Sequence, residues 1–190
     1  MNQAILIGKI ESAEYDHEYN TIKYYKLIVS ISRSSGAIDR IPVMVSKNLL
    51  DVPDSIVGKT AYFKGQYKSH NERQEGKSRL ILYVFANQMR LTETADNIND
   101  VFVEGNLTKT PIFRVTPKGR KITEIMLAVN NESKSDYIPC ILWGETAEYA
   151  NGLRTGQHIR VCGRIQSREY LKNDSAMTAY EISVRLIEAI

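Results

Sequence analysis

Gly58-Lys59-Thr60-Ala61-Tyr62-Phe63-Lys64-Gly65 returns 98 residues later as Gly156-Gln157-His158-Ile159-Arg160-Val161-Cys162-Gly163, with glycine at both ends and apolar residues at alternate positions between them. Working outward, Arg40-Ile41-Pro42-Val43-Met44-Val45 matches Tyr137-Ile138-Pro139-Cys140-Ile141-Leu142, and Ala4-Ile5-Leu6-Ile7-Gly8 matches Val101-Phe102-Val103-Glu104-Gly105, both at a spacing of 97. A one-residue change of spacing is what a loop insertion produces. Two copies of a unit of about 95 residues account for the chain, and that is an ordinary domain size. The polar stretch Thr92-Glu93-Thr94-Ala95-Asp96-Asn97-Ile98-Asn99 suits a linker. The expected domains are therefore 1–95 and 99–190.

Within each copy the apolar period is two, so strands dominate. Leu27, Val29 and Ile31 share one face of their segment, as do Ile125, Leu127 and Val129 of theirs, and these faces are expected to form cores. Glu145 to Leu153 carries the helix signal of the second copy. Lys47 to Val57 fills the same slot in the first, interrupted by Pro53. Three strands, a short helix and two further strands predict an all-β chain of two tandem OB-folds, each a five-stranded Greek-key barrel with a helix between its third and fourth strands. A small sandwich is the alternative. Gly8, Gly105, Gly65 and Gly163 fall in mid-strand, where glycine marks a bulge or the sharp coil of a small closed barrel, and they favour the barrel.

With 43% hydrophobic and 25% charged residues, the composition excludes a disordered or collagen-like chain. No apolar run is long enough to span a membrane and the first residues lack a secretory pattern, so the expected location is the cytoplasm, with no membrane partner. Cys140 and Cys162 are too few for a zinc ribbon or a disulfide framework, and are expected to be reduced and structural. The net charge of +3 decides nothing by itself, because a polyanion senses a local patch within a Debye length.

Catalytic constellations are absent from the sequence. His17, His70 and His158 form no HExxH, no Cys-x-x-Cys holds zinc, and Gly58-Lys59-Thr60 fails as a phosphate loop because Pro53 stands where a glycine is required. The expectation is a non-enzyme with no cofactor and no metal. Cations and aromatics instead collect in the second copy. Strand parity puts Tyr137 and Trp143, the only tryptophan, on one face, and aligns Arg164, Gln166, Arg168 and Tyr170 opposite Ile159, Val161 and Ile165. Lys109, Arg114, Lys118, Arg120 and Lys121 lie around a turn at Thr116-Pro117-Lys118-Gly119-Arg120, crowning a hairpin. Guanidinium and ammonium groups neutralise phosphates while flat rings stack unpaired bases, a mixture suited to single strands. The alternative is a solvated sheet face with a buried tryptophan. In the first copy Lys64, Lys68 and His70 are weaker candidates.

On these residues the second copy resembles the bacterial single-stranded DNA-binding protein family. Tyr137 to Glu148 is similar to that family's run of aromatic, apolar strand, aromatic, Gly, Lys or Glu, x, Ala, Glu. Gly163-Arg164-Ile165-Gln166-Ser167-Arg168-Glu169-Tyr170 is similar to its Gly, x, Leu, x, Thr or Ser, Arg, x, aromatic strand. The resemblance spans roughly residues 100 to 188. It implies base-stacking roles for Tyr137, Trp143 and Tyr170 and a phosphate contact for Arg168. The first copy resembles the family more weakly, through Asn2, Gly8, Ile41-Pro42, Gly58 and Gly65, and has Arg40, Ser46 and Glu72 at the three stacking positions.

The resemblance further implies single-stranded DNA as partner, in replication, recombination or repair, and a homodimer that assembles four OB-folds. RNA is an alternative ligand, because stacking and phosphate contacts do not read the 2′-OH. The family's acidic C-terminal tip has no counterpart in Ile187-Glu188-Ala189-Ile190, so recruitment of partner enzymes by that route is not expected. The rival function is a primosome or plasmid-replication mediator that works mainly as a protein-interaction module and binds nucleic acid weakly.

Overall fold

The computed structural model describes residues 1–50, 53–74, 77–131, 134–172 and 175–190. Its strands are β1 (Asn2–Tyr19), β2 (Ile22–Ser32), β3 (Ile38–Ser46), β4 (Thr60–Gln74), β5 (Lys77–Leu91), β6 (Ile98–Leu107), β7 (Ile112–Val115), β8 (Lys121–Asn130), β9 (Ser135–Trp143), β10 (His158–Lys172) and β11 (Ser175–Ala189). One α-helix, α1 (Glu145–Asn151), lies between β9 and β10. The chain forms two compact units.

The unit built mainly from Gln3–Tyr67 and Leu82–Asp100 has the strand order β2-β3-β5-β4-β1, closed by pairing of β2 with β1. Closure makes a five-stranded barrel. In it β1 runs antiparallel to both β2 and β4, β2 runs antiparallel to β3, and β3 and β5 run parallel. The alternation read from the sequence sends Leu27, Val29 and Ile31 inward with Leu6, Ile10, Val43 and Phe63, and all of these are buried. β1 is long and bends at bulges between Ile10 and Ser12 and between Tyr15 and His17, before turning into β2 through Asn20 and Thr21, both at positive φ. The slot expected to hold a helix contains 3-10 turns at Lys47–Leu49 and Pro53–Ile56. A proline costs an interior helical turn its N–H donor, so the slot stays short of an α-helix. Asp51 and Val52 of that slot lie outside the described residues.

The other unit, mainly Val101–Ile190, has the order β6-β10-β11-β9-β8, closed by β6 on β8 through Asn106↔Ala128 and Leu107↔Leu127. Its core holds Val103, Leu127, Ile138, Leu142, Ile159, Val161, Ile165 and Ile182. Cys140 is buried there, which pushes its thiol well above the usual range, and Cys162 is half-buried; neither is in a disulfide. Two mid-strand glycines are needed for space. A Cβ on Gly105 would lie 2.5 Å from the Ala128 carbonyl oxygen, and one on Gly163 would collide with that of Ser183, next to a bulge between Cys162 and Gly163. β6 ends at Leu107, and after Pro111 the short β7 runs along β8 as a separate strand.

Met1–Asn2 and Lys68–Ile81 group with Val101–Ile190, while the linker stretch up to Asp100 groups with the first unit. Ser69 explains the exchange, because its N–H, carbonyl oxygen and hydroxyl are all used by residues at the β8–β9 turn. Among the described residues no helix is long and apolar enough to cross a membrane.

Candidate nucleic-acid interface

The outward face of the second barrel is built by strand parity. Ile138, Cys140 and Leu142 of β9 point into the core, which turns Tyr137, Pro139, Ile141 and Trp143 outward, and Ile141 is nonetheless buried. Tyr137 lies opposite Ala128, a side chain too small to cover the ring. At the other end of β9, Trp143 lies opposite Ile122. Its carbonyl accepts from the Thr146 hydroxyl at 2.8 Å, and Gly144 at φ 58 turns the chain directly into α1. Trp143 is thus fixed where a strand stops, and its indole N–H donates to Ser183 Oγ at 3.3 Å.

β10 and β11 continue this face with a polar ladder. Arg164 donates to Ser183 Oγ at 3.2 Å and to Gln166 Oε1 at 3.1 Å. Gln166 donates to Glu181 Oε1 at 2.7 Å, and Arg168 Nε lies 3.7 Å from that oxygen. The ladder orders both guanidinium groups before any ligand arrives. Arg164 is half-buried and Arg168 exposed, and Tyr170 stands beyond them on the same side of β10. Tyr137, Trp143 and Tyr170 are 44%, 38% and 38% exposed, and none of them has a ring partner among the described residues.

The hairpin of β7 and β8 turns as its sequence requires. Gly119 N–H donates to Thr116 O and Thr116 N–H to Arg120 O, both at 2.8 Å, with Gly119 at φ 76, a three-residue loop ending in a left-handed glycine. All five cations are exposed, and they divide into two groups. Arg114 is paired with Glu124 and Lys121 with Glu148, whereas Lys109, Lys118 and Arg120 make no ion pair among the described residues. Of the weaker candidates, Lys64 is half-buried on β4 in the first unit, while Lys68 and His70 belong to the segment grouped with the second barrel.

Sequence reasoning missed Ser183 and Glu181, which organise the arginines. The signal was present, since Glu181-Ile182-Ser183-Val184 alternates polar and apolar just as β10 does. Among the described residues no group of three metal-ligating side chains converges.

A closed five-stranded barrel with this strand order, carrying exposed rings and ordered arginines on its outward face, is of the OB type. The model of the single-strand binding protein family matches residues 98–190. The chain is 37% identical over 94 residues to the Bacillus subtilis single-stranded DNA-binding protein B, a match that takes in 45% of this chain and 82% of that protein. It is 40% identical over 85 residues to single-stranded DNA-binding protein 2 of Listeria monocytogenes, covering 40% of this chain and 53% of that protein. The chain therefore spans about half the length of the Listeria relative. In fold it is similar to the crystal structure of the wild-type single-stranded DNA-binding protein from Thermus aquaticus, with a TM-score of 0.82 and 21% identity over 100% of this chain and 93% of that one. The chain belongs to the single-strand binding protein family.

Proposed function

We propose that this chain is a non-catalytic protein that binds single-stranded DNA, with the outward face of the second barrel as its principal site. The carrying observation is that Tyr137, Trp143 and Tyr170 stand exposed without ring partners, among the described residues, on the face where Arg164 and Arg168 are ordered. Tyr137 and Trp143 are six residues apart on β9, a run of roughly 20 Å, enough for several bases between the two rings. The rings stack bases at about 1 to 3 kcal/mol each without reading sequence, and Arg164, Arg168, Lys109, Lys118, Arg120, Arg114 and Lys121 neutralise phosphates. Lys64, Lys68 and His70 are auxiliary cations.

In this reading the chain is a tandem duplication of the OB-fold with ancestral units 1–95 and 99–190. It acts in the cytoplasm in DNA replication, recombination or repair and assembles as a homodimer with four barrels. RNA is the alternative ligand. A second reading, an interaction module with weak nucleic-acid binding, draws support from the first unit, where the position equivalent to Tyr137 is Arg40, paired at 2.9 Å with Glu11. Anisotropy titration of labelled oligo-dT against the folded Trp143→Ala/Tyr170→Ala variant decides between them. A loss of roughly 2 to 6 kcal/mol is expected if both rings stack. Unchanged affinity removes these residues from the site, and weak wild-type binding promotes the interaction module.

A further inference from the structure

A buried hydroxyl on the outward face of the second barrel serves two of the residues assigned to its site. β11 lies between β10 and β9 in the sheet, and Ser183 is paired with Arg164 on one side and with Ile141 on the other. Its neighbours Ile182 and Val184 fill the core, so Ser183 is turned to the outward face, and there it is covered. Its Oγ accepts the Trp143 indole N–H at 3.3 Å and an Arg164 N–H at 3.2 Å, one for each lone pair of a hydroxyl oxygen. Valine or isoleucine, the ordinary choices for a strand, would offer no acceptor here. Trp143 is also held at its backbone, where its N–H donates to Thr146 Oγ at 3.3 Å and its carbonyl accepts from that hydroxyl at 2.8 Å. The residue is thus tethered at both ends while its ring stays open to a ligand.

A base that stacks on a ring already held in one plane loses less binding energy to ordering than a base that must first immobilise the ring. We propose that Ser183 is a positioning residue of the single-strand site, fixing the Trp143 ring plane and the Arg164 guanidinium in one relation so that a base and its phosphate are received together. The inference rests on the single-strand reading above and adds a residue that acts through both partners of the ligand. Removing the hydroxyl removes no charge, so the number of neutralised phosphates is preserved and only the arrangement is lost. Arg164 keeps its bond to Gln166, and the larger share of the effect therefore runs through Trp143.

The test uses the full chain, oligo-dT titrated at several salt concentrations, and the indole N–H resonance, which is a single peak because the chain has one tryptophan. Ser183→Ala is expected to bind roughly three- to tenfold more weakly, the cost of ordering one or two side chains, with an unchanged slope of log affinity against log salt. Its indole N–H is expected to exchange faster than in the wild type, and Ser183→Thr, which restores the hydroxyl, to recover both affinity and slow exchange. Trp143→Phe keeps a stacking ring and has no N–H to place. In Trp143→Phe/Arg164→Ala, adding Ser183→Ala is expected to change affinity by less than a factor of about two. A full loss in that background assigns Ser183 to barrel stability and overturns the proposal, as does wild-type affinity in folded Ser183→Ala; stacking at Trp143 then stands. Exchange of the wild-type indole N–H as fast as that of free tryptophan overturns it without any variant. Absence of oligo-dT binding by the wild type overturns both this inference and the single-strand reading.

Discussion

The two barrels share one strand connectivity and use their aromatic residues in opposite ways. In the first unit several rings pair with one another, while Tyr19 is 65% exposed with no ring partner among the described residues. His17 stacks on Tyr24 with centroids 4.9 Å apart and planes at 10°, Tyr24 lies 6.0 Å from Phe85, and Tyr15 meets Tyr25 edge to face at 6.0 Å. Three of its arginines are engaged, Arg33 with the buried Asp39, Arg40 with Glu11, and Arg90 over the Tyr62 ring at 4.7 Å, whereas Lys9, Lys23, Lys26, Lys47 and Lys59 are exposed and make no ion pair among the described residues. In the second unit the three rings on the outward face are open, and Lys109, Lys118 and Arg120 lack carboxylate partners among the described residues. A ring already stacked gains little from a base, and a paired cation releases few counterions. In the proposed reading, the state of the side chains on each face, and not the fold alone, distributes binding between the units.

This contrast breaks most readily at the rings. Trp143→Ala/Tyr170→Ala should cost roughly 2 to 6 kcal/mol of oligo-dT affinity, whereas His17→Ala/Tyr24→Ala should change it by under about 0.5 kcal/mol. Equal losses from the two pairs would erase the contrast. The shared framework is tested at its glycines. Gly65→Ala in the first barrel and Gly163→Ala in the second would each drive a Cβ onto a backbone carbonyl oxygen, that of Phe85 and that of Ser183. Both should destabilise by about 1 to 3 kcal/mol in urea unfolding. If only one does, the two barrels are not closed in the same way.

Smaller effects sharpen the electrostatic side. Lys118→Ala/Arg120→Ala should reduce the salt slope of binding by about 1.4, and Arg114→Ala/Lys121→Ala by less, because Glu124 and Glu148 already hold those charges. The smallest effect concerns stability. The Arg160 hydrogen bond holds the Glu104 carboxyl below its usual value of 4.5. A carboxyl depressed in the folded state stabilises above its unfolded value, and that contribution fades as pH falls through the folded one. Glu104→Gln should therefore lower the urea midpoint slightly at pH 7, with the difference from wild type narrowing in acid.

Much of the architecture was legible because barrel closure leaves a local trace. Period-two segments identified strands, and the recurring glycines marked where backbones approach too closely for a side chain. The outward positions of Tyr137 and Trp143 followed from parity along one strand. What parity cannot give is partnership across the fold. Glu124 and Glu148 follow the basic hairpin in sequence, yet their pairing with Arg114 and Lys121 depends on strand register and on the placement of α1. Ser69 and Asp136 are 67 residues apart, in different sequence copies, and nothing in either local pattern announces that one caps the other. The helix expected over Lys47 to Val57 gave way to 3-10 turns because Pro53 removes the N–H donor an interior helical turn needs.

Because the chain has one tryptophan, its fluorescence reports on a single position of the proposed site. Titration with oligo-dT and with duplex of equal length, at low and moderate salt, tests stacking at Trp143 directly. Strong quenching by the single strand alone, weakening as salt rises, is the expected result. No change with either ligand would contradict stacking at Trp143 and favour the interaction module over the single-strand binder.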